Sequence, residues 1–294
     1  MNDDAPRPGT GAAAAGDYLI GGELPVHRMG FGAMRLPASQ WDGPAHDPAR
    51  GVAVLRRAAE LGVNHLDTAA FYFFEDVAAN DLIRTALHPY PDDLVIATKV
   101  GPGRFPDGSW MAPAGPAELR EAVLRNLREL GRDHLDLVYL RFLGSDGPGE
   151  DRFATLAALR EEGVIRHLGV SDASPQQLAE ARAIAPVAAV QNRFSPLTRT
   201  DADMVEFCAR HGIAFVPYFP FGGSGAPDLR SVEAVAARHG ATPAQITLAW
   251  LLATSPAVLP IPGTSSPAHL EENVAAAALR LGPEDLAELD ALGA

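Results

Sequence analysis

Lysine is nearly absent from this chain of 294 residues. Of its 24 basic residues 23 are arginine, and the one lysine is Lys99. Cysteine is equally scarce: Cys208 stands alone, which excludes an internal disulfide, and its setting Val205-Glu206-Phe207-Cys208-Ala209 reads as a helix carrying a small buried hydrophobe. Positive charge is in deficit, with 24 basic against 37 acidic residues and a net charge of −13. That balance argues against nucleic acid or an anionic membrane as partner, since both require basic patches. Long apolar runs are missing too; none approaches the ~20 residues of a membrane span. Residues 1–16 are rich in Ala, Gly and Pro and lack the basic and apolar regions of a signal peptide, so they read as a disordered tail before a domain over 17–294. A cytoplasmic protein, monomeric or weakly oligomeric, with no metal is the expectation.

Apolar residues at 47% and charged residues at 21% fit a soluble globular enzyme. A hairpin is expected over Tyr18 to Val26, turning at Gly21-Gly22. Beyond it one join recurs: Glu60-Leu61-Gly62-Val63 leads into His65-Leu66-Asp67, Glu162-Gly163-Val164 into His167-Leu168-Gly169-Val170, and His211-Gly212-Ile213 into Phe215-Val216-Pro217. A helix closed by glycine and followed at once by a short apolar strand is a βα unit, and its repetition means a parallel sheet. Strands are expected near 31–36, 63–67, 94–98, 135–140, 166–170, 187–191, 213–217 and 257–261. Helical patterns lie at about 49–61, 78–87, 116–130, 151–162, 175–184, 200–211, 229–239 and 243–253. Eight βα units in ~250 residues have the rhythm of an α/β (β/α)8 TIM barrel. A doubly wound sheet would need a dinucleotide glycine fingerprint after the first strand, which Gly30-Phe31-Gly32-Ala33-Met34-Arg35 does not supply.

Barrel active sites gather at the C-terminal strand ends. Asp67, Lys99, Arg141, Asn192 and Tyr218 all fall at or just past such ends. Lysine is a compact point charge whose pKa responds to burial, which arginine is not, so a lone lysine ending the strand Leu94 to Thr98 is read as buried and paired with Asp67. Tyr72 lies in the loop after Asp67, placed to return over the barrel mouth. A phenol with an ordinary pKa near ~10 is a weak acid at neutral pH, and a cation beside it favours the phenolate. The trio reads as a proton donor for a carbonyl oxygen, and its counterpart would be a hydride from a nicotinamide dinucleotide. Ser171-Asp172 and Gln191-Asn192 offer groups for a carboxamide, and Tyr218 offers a ring for stacking. Ser266 and Pro267 open a helix after the last strand as N-cap and N1, leaving N–H groups for phosphate, and Gly222 to Gly225 could wrap the same phosphates. A lyase with Lys99 as Schiff base would leave these stretches without a role.

From about Tyr18 onward the chain resembles the aldo-keto reductases. The likeness rests on Gly30-Phe31-Gly32-Ala33-Met34, Leu66-Asp67-Thr68-Ala69 with Tyr72, Ala97-Thr98-Lys99, Gly169-Val170-Ser171-Asp172, Val190-Gln191-Asn192, and Ile261-Pro262-Gly263-Thr264 with Glu271-Glu272-Asn273. It implies a (β/α)8 barrel that binds NADPH and reduces small-molecule aldehydes or ketones. It implies Tyr72 as proton donor tuned by Asp67 and Lys99. Ser171, Asp172, Gln191 and Tyr218 would surround the nicotinamide, and Glu272 with Asn273 the adenine. Gly32 and Met34, the loop Tyr218-Phe219-Pro220 with Gly222, and Gly263, Thr264, Ser265, Ser266 and His269 complete the implied cofactor site. Two departures stand out. Where the family has a histidine in a Tyr-Leu-His pattern, this chain has Arg141, a fixed cation that can polarise a carbonyl or hold an anion but cannot relay a proton. Where relatives carry basic residues for the 2′-phosphate, it has Gly263, Ser266 and His269, which implies NADPH with modest discrimination against NADH. Within the family the chain is similar to bacterial pyridoxal reductases around His88 to Leu94, Leu140-Arg141, Pro220 to Gly223 and Ala268-His269-Leu270. It departs from them at Phe73-Phe74-Glu75; Phe73, Phe74 and Trp110 are expected to wall the substrate site. The same fold also serves as a redox-sensing regulatory subunit with little turnover, and the intact Asp67, Tyr72 and Lys99 argue for the enzyme.

Overall fold

The computed structural model describes residues 11–39, 44–144, 149–221 and 229–293. The hairpin forms as expected: β1 (Asp17–Ile20) pairs antiparallel with β2 (Leu24–His27) across Gly21 and Gly22, both at positive φ. The first barrel strand, β3 (Phe31–Gly32), is shorter than its apolar run, because Ala33–Arg35 turn into a 3₁₀ helix. Then follow α1 (Pro48–Glu60), β4 (His65–Asp67), a small hairpin of β5 (Phe73–Phe74) and β6 (Val77–Ala78), and α2 (Ala79–Leu87). Next come β7 (Val95–Val100), a second hairpin of β8 (Pro102–Arg104) and β9 (Trp110–Pro113), α3 (Pro116–Leu130), β10 (Leu135–Arg141) and α4 (Glu150–Glu161). β11 (Ile165–Ser171), α5 (Pro175–Ile184), β12 (Val187–Gln191), α6 (Ala202–Arg210) and β13 (Ala214–Phe215) continue the alternation. A 3₁₀ turn (Leu229–Val232) leads into α7 (Glu233–His239), followed by α8 (Pro243–Thr254), α9 (Pro267–Ala275) and α10 (Pro283–Asp290).

Helix starts follow local chemistry. Asp47 caps α1 by accepting from the Ala49 N–H at 2.9 Å, with Pro48 at the first position. Ser174 and Thr242 form capping boxes with Gln177 and Gln245 ahead of Pro175 and Pro243.

Seven strands lie side by side in the order β3, β4, β7, β10, β11, β12, β13, every pairing parallel. The eighth segment, expected over 257–261, forms no extended strand yet closes the barrel. The Phe215 N–H donates to Ala257 O and the Leu259 N–H to Phe215 O, both at 2.8 Å, while the Gly30 N–H donates to Pro260 O at 2.9 Å. The segment thus bonds to the last strand on one side and runs into the first on the other.

Two apolar bodies hold this arrangement. Val95, Ala97, Leu137, Ala189, Ala214, Val216, Leu259 and Ile261 pack inside the barrel with Ile20, Leu24 and Val26 of the N-terminal hairpin. A larger shell, including Leu66, Ile96, Val138, Val170 and Val190 from the outward strand faces, packs against the helices. Strand alternation produces both, since successive residues face opposite sides. Residues 11–16, read as tail, are instead docked: Ala12–Ala15 form a 3₁₀ turn, Ala12 is buried and its N–H donates to Leu61 O at 2.9 Å. A Cβ on Gly11 would stand 2.4 Å from that carbonyl, so glycine is what lets the chain approach so closely. Residues 1–10 lie outside the described residues. Among the described residues no helix is long and apolar enough to cross a membrane.

Candidate active site

β4 pairs with β7 so that Asp67 faces Ala97, which puts Lys99 one inward position further along. Lys99 Nζ donates to Asp67 Oδ1 at 2.5 Å and to Thr68 O at 3.1 Å. Gln191, ending β12, donates from Nε2 to Asp67 Oδ2 at 2.7 Å, so both carboxylate oxygens are satisfied. Asp67 and Lys99 are each 2% exposed. Burial by itself lowers the lysine pKa; Asp67 and Tyr72 outweigh it, and the net direction is upward, so the ammonium stays charged.

Tyr72 follows a tight turn in which its N–H donates to Ala69 O at 2.9 Å, and its buried ring lies 4.8 Å from Lys99 Nζ. The sequence reading has the cation lowering the phenol pKa. The structure corrects the balance: burial raises it, Lys99 opposes that rise, and the net direction is up. Tyr72 is therefore protonated at neutral pH, with a cation ready to stabilise its phenolate.

These groups form the floor of a cavity of about 490 Å³ at the C-terminal strand ends. Arg141, ending β10, lines it; Nη1 donates to Ser171 Oγ at 3.2 Å, and Nη2 lies 3.3 Å from Asp172 Oδ2. Tyr218 is tied to the same carboxylate, its hydroxyl donating to Asp172 Oδ1 at 2.5 Å, while its ring lies 5.2 Å from the Arg141 guanidinium. Burial, then the bond to Asp172, push the Tyr218 phenol up to about 12. Asp172 and Phe219 hold left-handed backbone, at φ 56° and 51°. Such strain in a phenylalanine concentrates at functional sites.

Of the residues implied for the cofactor, Gly32, Met34, Gln191, Tyr218, Phe219, Pro220 and Gly263 line this cavity. A Cβ on Gly263 would stand 2.5 Å from Gly32 O, and one on Gly32 2.8 Å from Ile261 O, so two bare backbones face each other across the rim. This cradle, with the stacking ring of Tyr218 and the capped start of α9, suits an extended dinucleotide. It also removes position 263 from any basic clamp, since no side chain fits there. Ser266 Oγ accepts from the His269 N–H at 3.5 Å, Thr264 Oγ1 from the Ser266 N–H at 3.0 Å, and the cation nearest this loop by hydrogen bonding is Arg50 of α1, donating to Ser265 O at 2.5 Å. Glu272 accepts from the Thr242 hydroxyl and Asn273 is buried; neither faces the cavity. Gly222 lies outside the described residues.

The substrate wall differs from expectation. Trp110 lines the cavity, but Phe73 and Phe74 pair with β6, and Phe73 lies 5.0 Å from the Arg104 guanidinium. Phe71 takes their place, edge-on to Tyr72 at 5.2 Å and to Trp110 at 5.4 Å. Arg35, Phe221 and Ile261 also line the site. The sequence holds one signal for them, their closeness to Met34, Pro220 and Gly263.

Beneath Asp67 on the same strand face, His65 is fully buried with neither ring nitrogen hydrogen-bonded within the protein. Burial, partly opposed by Asp67, lowers its pKa to about 4. A histidine depressed in the folded state is neutral there and takes its proton more readily in the unfolded chain. Its stabilisation is complete above the unfolded pKa of ~6.5 and is lost as pH falls from ~6.5 toward ~4, by about 3 kcal/mol in total. Unfolding free energies from urea titrations of the wild type and His65→Leu, followed from pH 7 to pH 4, should differ in pH dependence by that amount, the wild type losing stability relative to the variant; parallel curves would show that His65 does not report this burial.

The sequence profile described as "Aldo/keto reductase family" matches residues 28–294. The chain is 46% identical over 277 residues to a pyridoxine 4-dehydrogenase of Escherichia coli, covering 92% of this chain and 96% of that protein. It is 39% identical over 295 residues to an oxidoreductase of Schizosaccharomyces pombe, covering all of this chain and 95% of the relative. A crystal structure of an aldo-keto reductase from Klebsiella pneumoniae in complex with NADPH superposes with a TM-score of 0.77 at 27% identity, over 94% of each chain. The chain therefore belongs to the aldo/keto reductase family, as an oxidoreductase that uses NADPH and acts on small-molecule carbonyl compounds.

Proposed function

We propose that the chain reduces pyridoxal, or a similar hydroxy-aryl aldehyde, with Tyr72 delivering the proton and Arg141 binding the oxygen beside the carbonyl. The observation that carries the reading is the placement of Tyr72, Lys99 and Arg141 on one cavity, with Asp67 beneath them. NADPH, when bound, supplies the hydride; the residues do the rest. Tyr72 holds its proton until the carbonyl oxygen gains charge, and then gives it up. Lys99 stabilises the phenolate that remains, and Asp67, held by Gln191, keeps Lys99 charged and in place. Phe71 and Trp110 offer flat apolar walls to an aromatic ring. The Escherichia coli relative is by name a pyridoxine 4-dehydrogenase, and oxidation of that alcohol reverses the reduction of pyridoxal. The assembled trio supports turnover over a purely regulatory role.

Arg141 distinguishes pyridoxal from simpler aldehydes, because a permanent cation favours an anionic oxygen ortho to the carbonyl. A hydrogen bond to a charged group contributes about 1.5–3 kcal/mol, which is about 10- to 150-fold in binding. Arg141→Met should raise KM for pyridoxal by that factor and KM for benzaldehyde less than about twofold on the same scale. Equal losses would make Arg141 a carbonyl polariser, and no loss on either substrate would remove it from the site.

A further inference from the structure

Directly behind the catalytic pair, on the outward face of the same strands, four buried polar side chains form a connected network. Thr68 follows Asp67 and Thr98 precedes Lys99, so strand alternation turns both threonines away from the cavity and toward the helices. Thr68 Oγ1 donates to Asn80 Oδ1 of α2 at 2.8 Å, and Thr98 Oγ1 donates to Asn126 Oδ1 of α3 at 2.6 Å. The two amides are joined, Asn80 Nδ2 donating to Asn126 Oδ1 at 3.1 Å and to Glu129 Oε2 at 2.8 Å. Asn126 Nδ2 is anchored on Ala122 O of its own helix at 2.8 Å. Thr68, Asn80, Thr98 and Asn126 are each at most 1% exposed.

The surroundings make this arrangement informative. On the same outward faces Leu66, Ile96, Val138 and Leu140 lie in the apolar shell against the helices. For stability alone, apolar residues of matching volume would serve this position as well, whereas a fully satisfied polar network fixes one geometry. What it fixes here is the relative placement of two strand ends. The backbone of Thr68 adds to this, its N–H donating to Ala97 O at 2.8 Å and its carbonyl accepting from Lys99 Nζ at 3.1 Å.

We propose that Asn126 and Asn80, acting through Thr98 and Thr68, are positioning residues that hold Lys99 against Asp67 and so set the aim of Tyr72. This rests on the reading of Asp67, Tyr72 and Lys99 as the catalytic group. The network touches neither cofactor nor substrate, so its loss should slow the chemical step and leave binding alone. A misplacement on the order of 1 Å far from the reacting atoms is worth about 100-fold in rate.

The test is single-turnover hydride transfer in enzyme preloaded with NADPH, followed by nicotinamide absorbance, together with the NADPH Kd, the aldehyde KM and the melting temperature. Thr98→Val keeps the shape and deletes one hydroxyl; the rate should fall about 10- to 100-fold while Kd and KM stay within about twofold. Thr98→Ser keeps the hydroxyl and should recover at least about half of the wild-type rate on the same argument. Asn126→Leu, which removes three bonds, should lose more; if it does not fold, the two threonine variants carry the test. A wild-type single-turnover rate in Thr98→Val, with only a lower melting temperature, would overturn the proposal and leave the network structural. Full activity of Tyr72→Phe would instead overturn the catalytic reading, whatever Thr98→Val does.

Discussion

Tyr72→Phe should lose nearly all reductase activity while binding NADPH as the wild type does. The substitution keeps the ring, its edge-on contact with Phe71 and its place over Lys99, and removes only the group that carries a proton. Tyr72 is 8% exposed and its phenol pKa is raised by burial, so at neutral pH the wild-type hydroxyl is protonated. A proton positioned in this way contributes about 10²–10⁴-fold to rate. The measurement is kcat with pyridoxal under saturating NADPH, beside the NADPH Kd from fluorescence titration. A mutant keeping more than about a tenth of the wild-type rate, below the smallest effect such catalysis has, would mean that another group donates the proton.

The parts of this site legible in the sequence are those set by strand ends and composition. Lys99 stood out because arginine fills every other basic position, and Asp67 because a carboxylate ends an apolar run. The barrel itself was legible in the repeated helix–Gly–strand join. What escaped depends on how loops turn and on contacts distant in sequence. Phe73-Phe74 and Phe71 look alike as letters; the turn at Ala69–Tyr72 aims Phe71 inward, and the β5–β6 pairing carries the next two away. The closure segment 257–261 reads as a strand, but it bonds its neighbours at single points and forms no ladder. Ala12 docks on Leu61 across the fold, a pairing that no local pattern in the N-terminal stretch announces. The Thr68–Asn80–Asn126–Thr98 network was invisible for the same reason, since its members come from two strands and two helices and none is unusual where it stands. Gly263 shows the reverse error: read from sequence, it looks like an absent clamp, whereas its backbone leaves no room for a side chain.

Lys99→Arg should be almost as inactive as Lys99→Met, although it keeps the charge. The ammonium occupies a closed place, 2.5 Å from Asp67 Oδ1, 3.1 Å from Thr68 O and 4.8 Å from the centre of the Tyr72 ring. A planar guanidinium is longer and broader than this point-like donor, and forcing it into a packed interior costs about 1–3 kcal/mol in displaced neighbours. Those neighbours are Asp67 and Tyr72, so the strain falls on the reacting group itself. Lys99→Met fails differently: it leaves Asp67 buried with Gln191 as its remaining side-chain donor, and an unpaired buried charge costs about 3–5 kcal/mol of stability. The two effects separate in a second step. Asp67→Asn combined with Lys99→Met removes both charges, and should recover most of the melting temperature lost by Lys99→Met alone. The rate should not recover, because nothing then stabilises the phenolate of Tyr72. Activity returning together with stability would show that Asp67 and Lys99 are a structural ion pair, and that the cavity above them draws its chemistry from Arg141 and Tyr72 alone.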